Sequence, residues 1–414
     1  MTAPATAAAT LILAGSATGA RGRFSPQSPL LGLPLVRRTA LAARRAGFDR
    51  VYVLEAEAGG ARPVLEGTGA VAFPRDAGES ALPPGRIVLL PDRVVASTRW
   101  LRSLCDAPAE PERLHRVGVG AIVQASEPRP LGRVLEHSSS LASVLSEWAS
   151  LLPPGPAVEG IDPPLEVATE ADVAGAETLL LKGLVKTEDG FLTKHISRKI
   201  SLAVTRRLAR TRVRPNAMTL VCLALGLSAA WSFASPAPAR QLAGGLLFLL
   251  HSILDGCDGE LARLKFQESR LGAVLDFWGD NLVHVAVFSA FAVAWSTASG
   301  QSWPFALGAL AVAGTIVSSG FLYRAMRTPG RPGSSDSPGS RSRMTRVLNA
   351  VSGRDFIYLV MVLALFGKAY WFLASAALGT PAFFAAIFLA ALGSRKRAPG
   401  PGSPQSSPES ARSS

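Results

Sequence analysis

Asp255-Gly256-Cys257-Asp258-Gly259-Glu260-Leu261-Ala262-Arg263, continued by Gly272, Asp276 and Asp280, is the stretch that decides how this chain reads. It sets four aspartates and an arginine into sequence otherwise apolar enough to cross a bilayer. The pattern is D-x2-D-G-x2-A-R-x8-G-x3-D-x3-D. On a helix, Asp255 and Asp258 are i, i+3 neighbours, and Ala262 follows one turn later on the same face. Gly272, Asp276 and Asp280 step by four and line one face of a second helix. Two such faces turned toward each other make a carboxylate cage. Insertion scales charge about 3 kcal/mol for an Asp near mid-membrane, so four come to on the order of 10 kcal/mol. Mutual repulsion adds to that unless a cation sits among them. A divalent metal relieves both problems. All-oxygen ligation suits Mg2+ or Mn2+ rather than zinc, and no Cys/His set competes. Packing specificity alone needs one polar pair, not four acids with glycines between them. Gly259 and Gly272 remove side chains where a ligand or a neighbouring backbone must come close.

The chain has 414 residues, room for two domains or more. Apolar residues make up 48% and concentrate after about residue 217. Six candidate spans follow, roughly 217–234, 241–263, 271–297, 303–323, 355–375 and 379–393. Basic residues set their orientation. Arg206, Arg207, Arg210, Arg212 and Arg214 precede the first span, and Arg263, Lys265 and Arg270 lie between the second and third. Arg324, Arg327, Arg331, Arg341, Arg343 and Arg346 separate the fourth from the fifth, and Arg395, Lys396 and Arg397 follow the sixth. The opposite loops carry only Arg240. The positive-inside rule then puts both termini and the aspartates on the cytoplasmic side of an inner or plasma membrane.

A formal charge of +13 could suggest nucleic acid. Here it is mostly juxtamembrane, which points to anionic lipid headgroups and to no nucleic-acid partner. Ile196–Arg210 alternates Ile196, Ile200, Leu202, Val204 and Leu208 with basic residues, the pattern of an interfacial helix lying on the membrane. Cys105, Cys222 and Cys257 are scattered and imply neither a disulfide framework nor structural zinc. Met1–Ala20 is small and apolar but lacks the basic n-region of a signal peptide, and Thr10–Gly15 reads as a buried strand entering a loop.

The aspartate pattern resembles the signature of the CDP-alcohol phosphotransferases, with all eight fixed positions present. That resemblance implies transfer of a substituted phosphate from a CDP-linked donor to an alcohol acceptor, with release of CMP. It implies that Asp255, Asp258 and Asp276 hold two divalent ions, Mg2+ or Mn2+, with Asp280 in the same metal cluster. Asp280 would take the proton from the acceptor hydroxyl. Gly259, Ala262, Arg263 and Gly272 would border the CDP, together with Asn216 in Pro215-Asn216-Ala217-Met218-Thr219. Arg354, in Gly353-Arg354-Asp355, would contact an anionic acceptor. Pro, Asn and Thr at a helix start are also ordinary capping residues, as is an acid at a helix N-terminus. Members are often dimers through membrane helices, which makes a homodimer an expectation by resemblance. His284, one turn past Asp280, is placed either to support the metal ligands from behind or, the leading reading, as a packed interior histidine.

The front half has another character. Thr10–Ala14, Val51–Leu54 and Arg86–Leu90 read as strands, and Leu35–Ala46 and Val94–Leu104 as helices. This βαβ…βα order predicts a mostly parallel sheet with helices on its faces. Pro/Gly/Ser-bearing connections follow at Ala107–Glu110, Glu127–Pro130 and Leu152–Pro164. Leu11–Gly15, Gly32–Thr39 and Leu89-Leu90-Pro91-Asp92 resemble elements of sugar-nucleotide and inositol-phosphate nucleotidyltransferases, with Asp92 where that family places a metal-binding Asp. Two positions depart. Pro29-Leu30 stands where Pro-Lys is expected, and in Glu166-Val167-Ala168 an alanine replaces a second metal carboxylate. The domain order, and Glu177–Leu192 at the join, are similar to bifunctional inositol-phosphate cytidylyltransferase/di-inositol-phosphate-phosphate synthases.

The expected architecture is an α/β nucleotidyltransferase-like domain over 1–180 and a linker with juxtamembrane helix over 181–214. An all-α membrane domain of about six helices would follow over 215–397, with Met326–Arg343 as a flexible loop and 398–414 as a disordered tail. The leading function is a CDP-alcohol phosphotransferase of phospholipid or inositol-phosphodiester synthesis. A nucleotide-sensing pseudoenzyme has no reason to keep such costly charges. An ion transporter would not need Gly259, Ala262 and Arg263 at helical spacing beside them. A bifunctional enzyme would need front-domain chemistry that Leu30 and Ala168 lack.

Overall fold

The computed structural model describes residues 8–15, 24–54, 62–74, 82–138, 140–158, 164–184, 197–327 and 356–396. The chain divides into two compact units. The first comprises Met1–Val185 with the short segments Arg206–Arg212 and Arg263–Gln267; the second is the remainder.

The first unit is built on β1 (Ala9–Ala14), every residue of which is buried. After it come the hairpin β2 (Pro29–Leu30) and β3 (Leu33–Pro34), α1 (Leu35–Ala46), β4 (Arg50–Val53), α2 (Arg62–Leu65), β5 (Ala70–Ala72) and β6 (Gly85–Pro91). Next are β7 (Val94–Val95), α3 (Thr98–Asp106), β8 (Leu114–Val117), β9 (Gly120–Ala125), α4 (Arg129–His137) and α5 (Leu141–Leu151). The order β5-β4-β1-β6-β9-β8 forms one six-stranded sheet. β5, β4, β1 and β6 run parallel, and β9 and β8 add an antiparallel edge. A parallel core with both faces covered explains why β1 and β6 read as unbroken apolar runs. One face packs Leu11, Leu13, Val88 and Leu90 against α1 and α3; the other packs Ile12, Ile87 and Leu89 with Trp148 of α5.

Four of the five expected front elements are present at nearly the expected bounds. Val94–Leu104 is corrected: Val94 and Val95 form β7, which pairs antiparallel with β10 (Leu165–Glu166). The helix starts only at Thr98, where the Ser97 side chain accepts from the Trp100 N–H. Glu127–Pro130 is likewise not wholly a connection, because α4 begins at Arg129 with proline in its first turn.

α6 (Val173–Lys182) presents Glu177 to Arg206 and Arg210 of the same unit. Arg206 Nε donates to it at 2.8 Å and Arg210 Nη2 at 2.7 Å. Burial pushes the Glu177 carboxyl up, but the two guanidinium groups outweigh it and hold the group below its ordinary value. A carboxyl depressed in the fold contributes stability that is complete above the unfolded value, near about 4.3, and fades as pH falls through the folded value. Glu177→Gln should therefore lower the melting temperature at pH 7, and the gap to the unsubstituted chain should close in acid. Thermal melts at pH 7, 5 and 4 check this, and a gap that does not change with pH would refute it.

The second unit contains α7 (Arg198–Ala209, through Thr205), α8 (Pro215–Phe233), α9 (Pro238–Lys265, through Ala262), α10 (Arg270–Ser299) and α11 (Trp303–Arg327). α12 (Phe356–Leu365) and α13 (Phe372–Lys396) complete it. Among the described residues five helices are long and apolar enough to cross a membrane, and α12 is a shorter apolar helix. Phe233, Phe248, Phe291, Val283 and Leu373 form the core where α8, α9, α10 and α13 meet. Gly226 is required there: a Cβ would lie 2.5 Å from Val283. The expected fifth span over 355–375 is corrected, because the helix breaks inside it. α12 stops at Leu365, Gly367 turns with φ +68°, and a 3-10 turn at Ala369–Trp371 leads into α13.

Candidate active site

α9 carries the first half of the signature and α10 the second. Ser269 starts α10 by accepting from the Gly272 N–H at 3.0 Å, which sets the phase of Gly272, Asp276 and Asp280 one turn apart. Asp255 of α9 meets Asp276 and Asp280 of α10. One ligand oxygen from each lies within 4.8 Å of the others, with Asp255 buried and the two α10 carboxylates half-buried. Asp258 turns elsewhere. Its carboxylate accepts from Thr219 Oγ1 of α8 and from the Gly259 N–H. Thus three of the four expected metal aspartates form one cluster, and the fourth is fixed beside it by α8.

Asn216 and Gly272 also come together. A Cβ at Gly272 would stand 2.9 Å from Asn216 Oδ1 and 3.0 Å from Ser269 Oγ, so glycine is what lets a polar cradle form at the head of α10. Gly259 and Ala262 are half-buried on the Asp255 side of α9. Arg263 belongs to the segment grouped with the first unit. Arg354 lies outside the described residues, as do the expected loop from 328 onward, the tail and most of the join after 184.

Hard carboxylate oxygens converging from two helices fit a divalent cation of the Mg2+ or Mn2+ kind. Close acids in an apolar bundle are held most stably with such an ion between them. Farther along α9 and α10, His251 Nδ1 bonds the Cys222 carbonyl at 2.9 Å, while half-buried His284 stacks on Phe288 at 6.2 Å. Asn281, next to Asp280, is tied to Ser319 of α11 and, through Nδ2, to the Phe277 carbonyl at 2.7 Å. Thr219, Ser269 and Asn281 are site residues that the sequence pattern does not single out. For Thr219 a signal exists: it sits i, i+3 from Asn216 and so shares its helix face.

A polytopic helical unit with a carboxylate cluster between two spans defines the class, a membrane protein with a metal-type acidic site. Residues 212–379 match the family of CDP-alcohol phosphatidyltransferases, so the chain carries a domain of that family. Among curated proteins it is similar to the bifunctional IPC transferase and DIPP synthase of Thermococcus kodakarensis, at 35% identity over 37% of this chain and 34% of that protein. The proteins of the same name from Archaeoglobus fulgidus (40% identity, 29% of this chain, 24% of the relative) and Rubrobacter xylanophilus (32%, 36% and 34%) are also similar. The matched stretch spans about a third or less of the length of these relatives.

Proposed function

We propose that this protein is a metal-dependent membrane CDP-alcohol phosphotransferase. It would transfer a substituted phosphate from a CDP-linked donor to an alcohol, releasing CMP, in phospholipid or inositol-phosphodiester synthesis. The convergence of Asp255, Asp276 and Asp280 inside a matching signature carries this reading. Asp255, Asp276 and Asp258, the last oriented by Thr219, would hold the two divalent ions. Divalent cations, when bound, neutralise the pyrophosphate and stabilise departing CMP. Asn216 and the glycine cradle at Gly272 receive the nucleotide end. Asp280 removes the proton from the acceptor hydroxyl, whose oxygen then forms the new bond to phosphorus as the bond to CMP breaks. Holding both substrates in line supplies much of the rate.

The test combines two measurements. Purified protein should release CMP only with added Mg2+ or Mn2+, and mass spectrometry of lipids and soluble phosphodiesters from cells with and without the protein should name the acceptor. Metal-independent release, or none with any CDP-linked donor, would overturn the assignment. A bifunctional reading is favoured by the names of the relatives and by the sheet of the first unit, and it turns on residues 30, 92 and 168.

The proposed orientation places the aspartates toward the cytoplasm. Four tryptophans mark the far end of the bundle, and the arginine distribution is what assigns that end to the outer side. Arg240 lies 4.1 Å over Trp231, Lys368 lies 4.3 Å over Trp371, and Trp295 meets Trp303 at 4.8 Å, all at the ends of spans remote in sequence from the aspartates. Such amphipathic side chains settle at a membrane–water interface. A cysteine introduced by Ser335→Cys, with Cys105 replaced and the buried Cys222 and Cys257 left in place, should label only after the membrane is permeabilised. Labelling of intact cells would reverse the orientation.

A further inference from the structure

Glu260 is an acid that the signature leaves unassigned. It sits two residues past Asp258 on α9, yet it is 0% exposed and faces the opposite side of that helix. Its carboxylate accepts three side-chain hydrogen bonds, all from α7. Arg198 Nη1 donates to Oε1 at 2.6 Å, Ser201 Oγ to Oε1 at 3.0 Å, and Thr205 Oγ1 to Oε2 at 2.7 Å. Cys257 adds an Sγ contact to the Ser201 carbonyl at 3.5 Å. At Gly256 a Cβ would lie 2.9 Å from Arg198 Nη1, so the missing side chain leaves room for the guanidinium. α9 is therefore two-faced. Asp255, Asp258, Gly259 and Ala262 share one side; Gly256, Cys257 and Glu260 share the other.

α7 is arranged to match. Ser201 and Thr205, with Ser197 just before the helix, are buried and form a small polar stripe at i, i+4 spacing, while Ile200 stays 44% exposed. The helix thus docks through its small polar side, and Ser197 is anchored further by Tyr358 at 2.8 Å. A buried carboxylate satisfied by one guanidinium and two hydroxyls permits one rotation and one height of α9 against α7. Any other setting strands a charge in an apolar interior. The same rotation and height decide how far Asp255 stands from Asp276 and Asp280, which come from a different helix.

We propose that Glu260, held by Arg198, Ser201 and Thr205, is a positioning residue that fixes the catalytic face of α9, and that α7 is thereby a structural part of the metal site. This rests on the metal-cluster reading of Asp255, Asp276 and Asp280. It needs no contact between Glu260 and substrate.

Mn2+ is the probe. The full chain in detergent is titrated with Mn2+, and the free-ion paramagnetic resonance signal gives both a midpoint and a stoichiometry. Glu260→Gln and Arg198→Met should each weaken the midpoint by about tenfold at unchanged stoichiometry, as loss of an outer-shell support does. The double variant should be no weaker than either single one, because both remove the same interaction. Arg198→Lys should restore part of the affinity. A residue that mattered only for folding would lower the stoichiometry and leave the midpoint of the folded fraction in place, and that result would overturn the proposal. Should Glu260→Gln fail to fold, Thr205→Val removes one donor of three and should shift the midpoint about two- to threefold; an unmoved midpoint there is equally fatal. If the unsubstituted chain takes up no Mn2+, the metal reading itself falls and this inference with it. Mn2+ uptake with unmoved variants rejects only the role of Glu260.

Discussion

Asp280→Asn is expected to cut CMP release by about a thousandfold or more while leaving binding of a CDP-linked donor nearly intact. A general base contributes roughly 10^2 to 10^4 in rate, and asparagine keeps the shape of the side chain but accepts no proton at neutral pH. Asp280 lies within the cluster but at its α10 end, one turn beyond Asp276. Asp255→Asn and Asp276→Asn should behave differently. On the proposed reading they would hold the ion that grips the pyrophosphate, so both should weaken donor binding and turnover together. The measurements are CMP release at saturating Mn2+ and equilibrium binding of donor to each variant. Near-native release by all three would remove the catalytic assignment.

Helical spacing by itself makes that cluster legible. Asp276 and Asp280 are one turn apart, and the i, i+3 spacing puts Asp255 and Asp258 on the face of α9 from which Asp255 meets them both. The periodicity says nothing about the orientation of a single carboxylate, however, so the turn of Asp258 toward Thr219 is beyond its reach. Glu260 is hidden for a related reason. Its partners lie on another helix 55 to 62 residues away, and no repeat on α9 points to them. In Ile196–Arg210 the apolar and basic residues dominate the pattern, whereas the protein buries the serine–threonine stripe between them. The break after Leu365 is masked because a hydropathy window averages Gly367 and Lys368 into their apolar flanks. In the front half, the hairpin of Leu114–Val117 and Gly120–Ala125, with Gly118 turning at φ +53°, has no polar–apolar alternation to announce it. The central strands are plain because β1 and β6 are buried on both faces and carry no polar interruption until their ends.

The first unit is expected to release pyrophosphate from CTP about 10^4-fold more slowly than a working cytidylyltransferase, whichever sugar or inositol phosphate is supplied. Its sheet has a reversal of strand order, the kind of place where open α/β sheets bind ligands. β4 and β6 flank β1, so the strand order reverses beside β1, and the crevice opens at the carboxyl ends of β1 and β6. Asp92 stands there, its N–H bonded to the Ala14 carbonyl at 2.9 Å. Among the described residues, the positions that the nucleotidyltransferase resemblance assigns to a lysine and a second carboxylate carry no charge. Leu30, where the resemblance expects a phosphate-gripping lysine, is fully buried in a core with Phe24, Leu35, Val95 and Val167. Arg38 is close by in sequence, but its guanidinium is committed to the carbonyls of Leu264 and Leu30 at 2.7 and 2.9 Å, and burial lowers it to about 10. Ala168 offers only backbone, its N–H donating to Asp172 and its carbonyl accepting from the Phe24 N–H. Each missing electrostatic partner of a reacting phosphate is worth on the order of 10^2 to 10^3, and two are missing. Cutting the chain at 180 would also remove Arg206, Arg210 and Leu264, which bond Glu177 and Arg38 within this unit. The assay therefore uses the full chain carrying Asp280→Asn, with CTP, Mg2+ and a panel of polyol phosphates, and reads pyrophosphate. A robust signal would restore the bifunctional reading and make inositol phosphate the favoured acceptor. Silence would mean that a separate enzyme supplies the CDP-linked donor, leaving this first unit the fold of a nucleotidyltransferase without its chemistry.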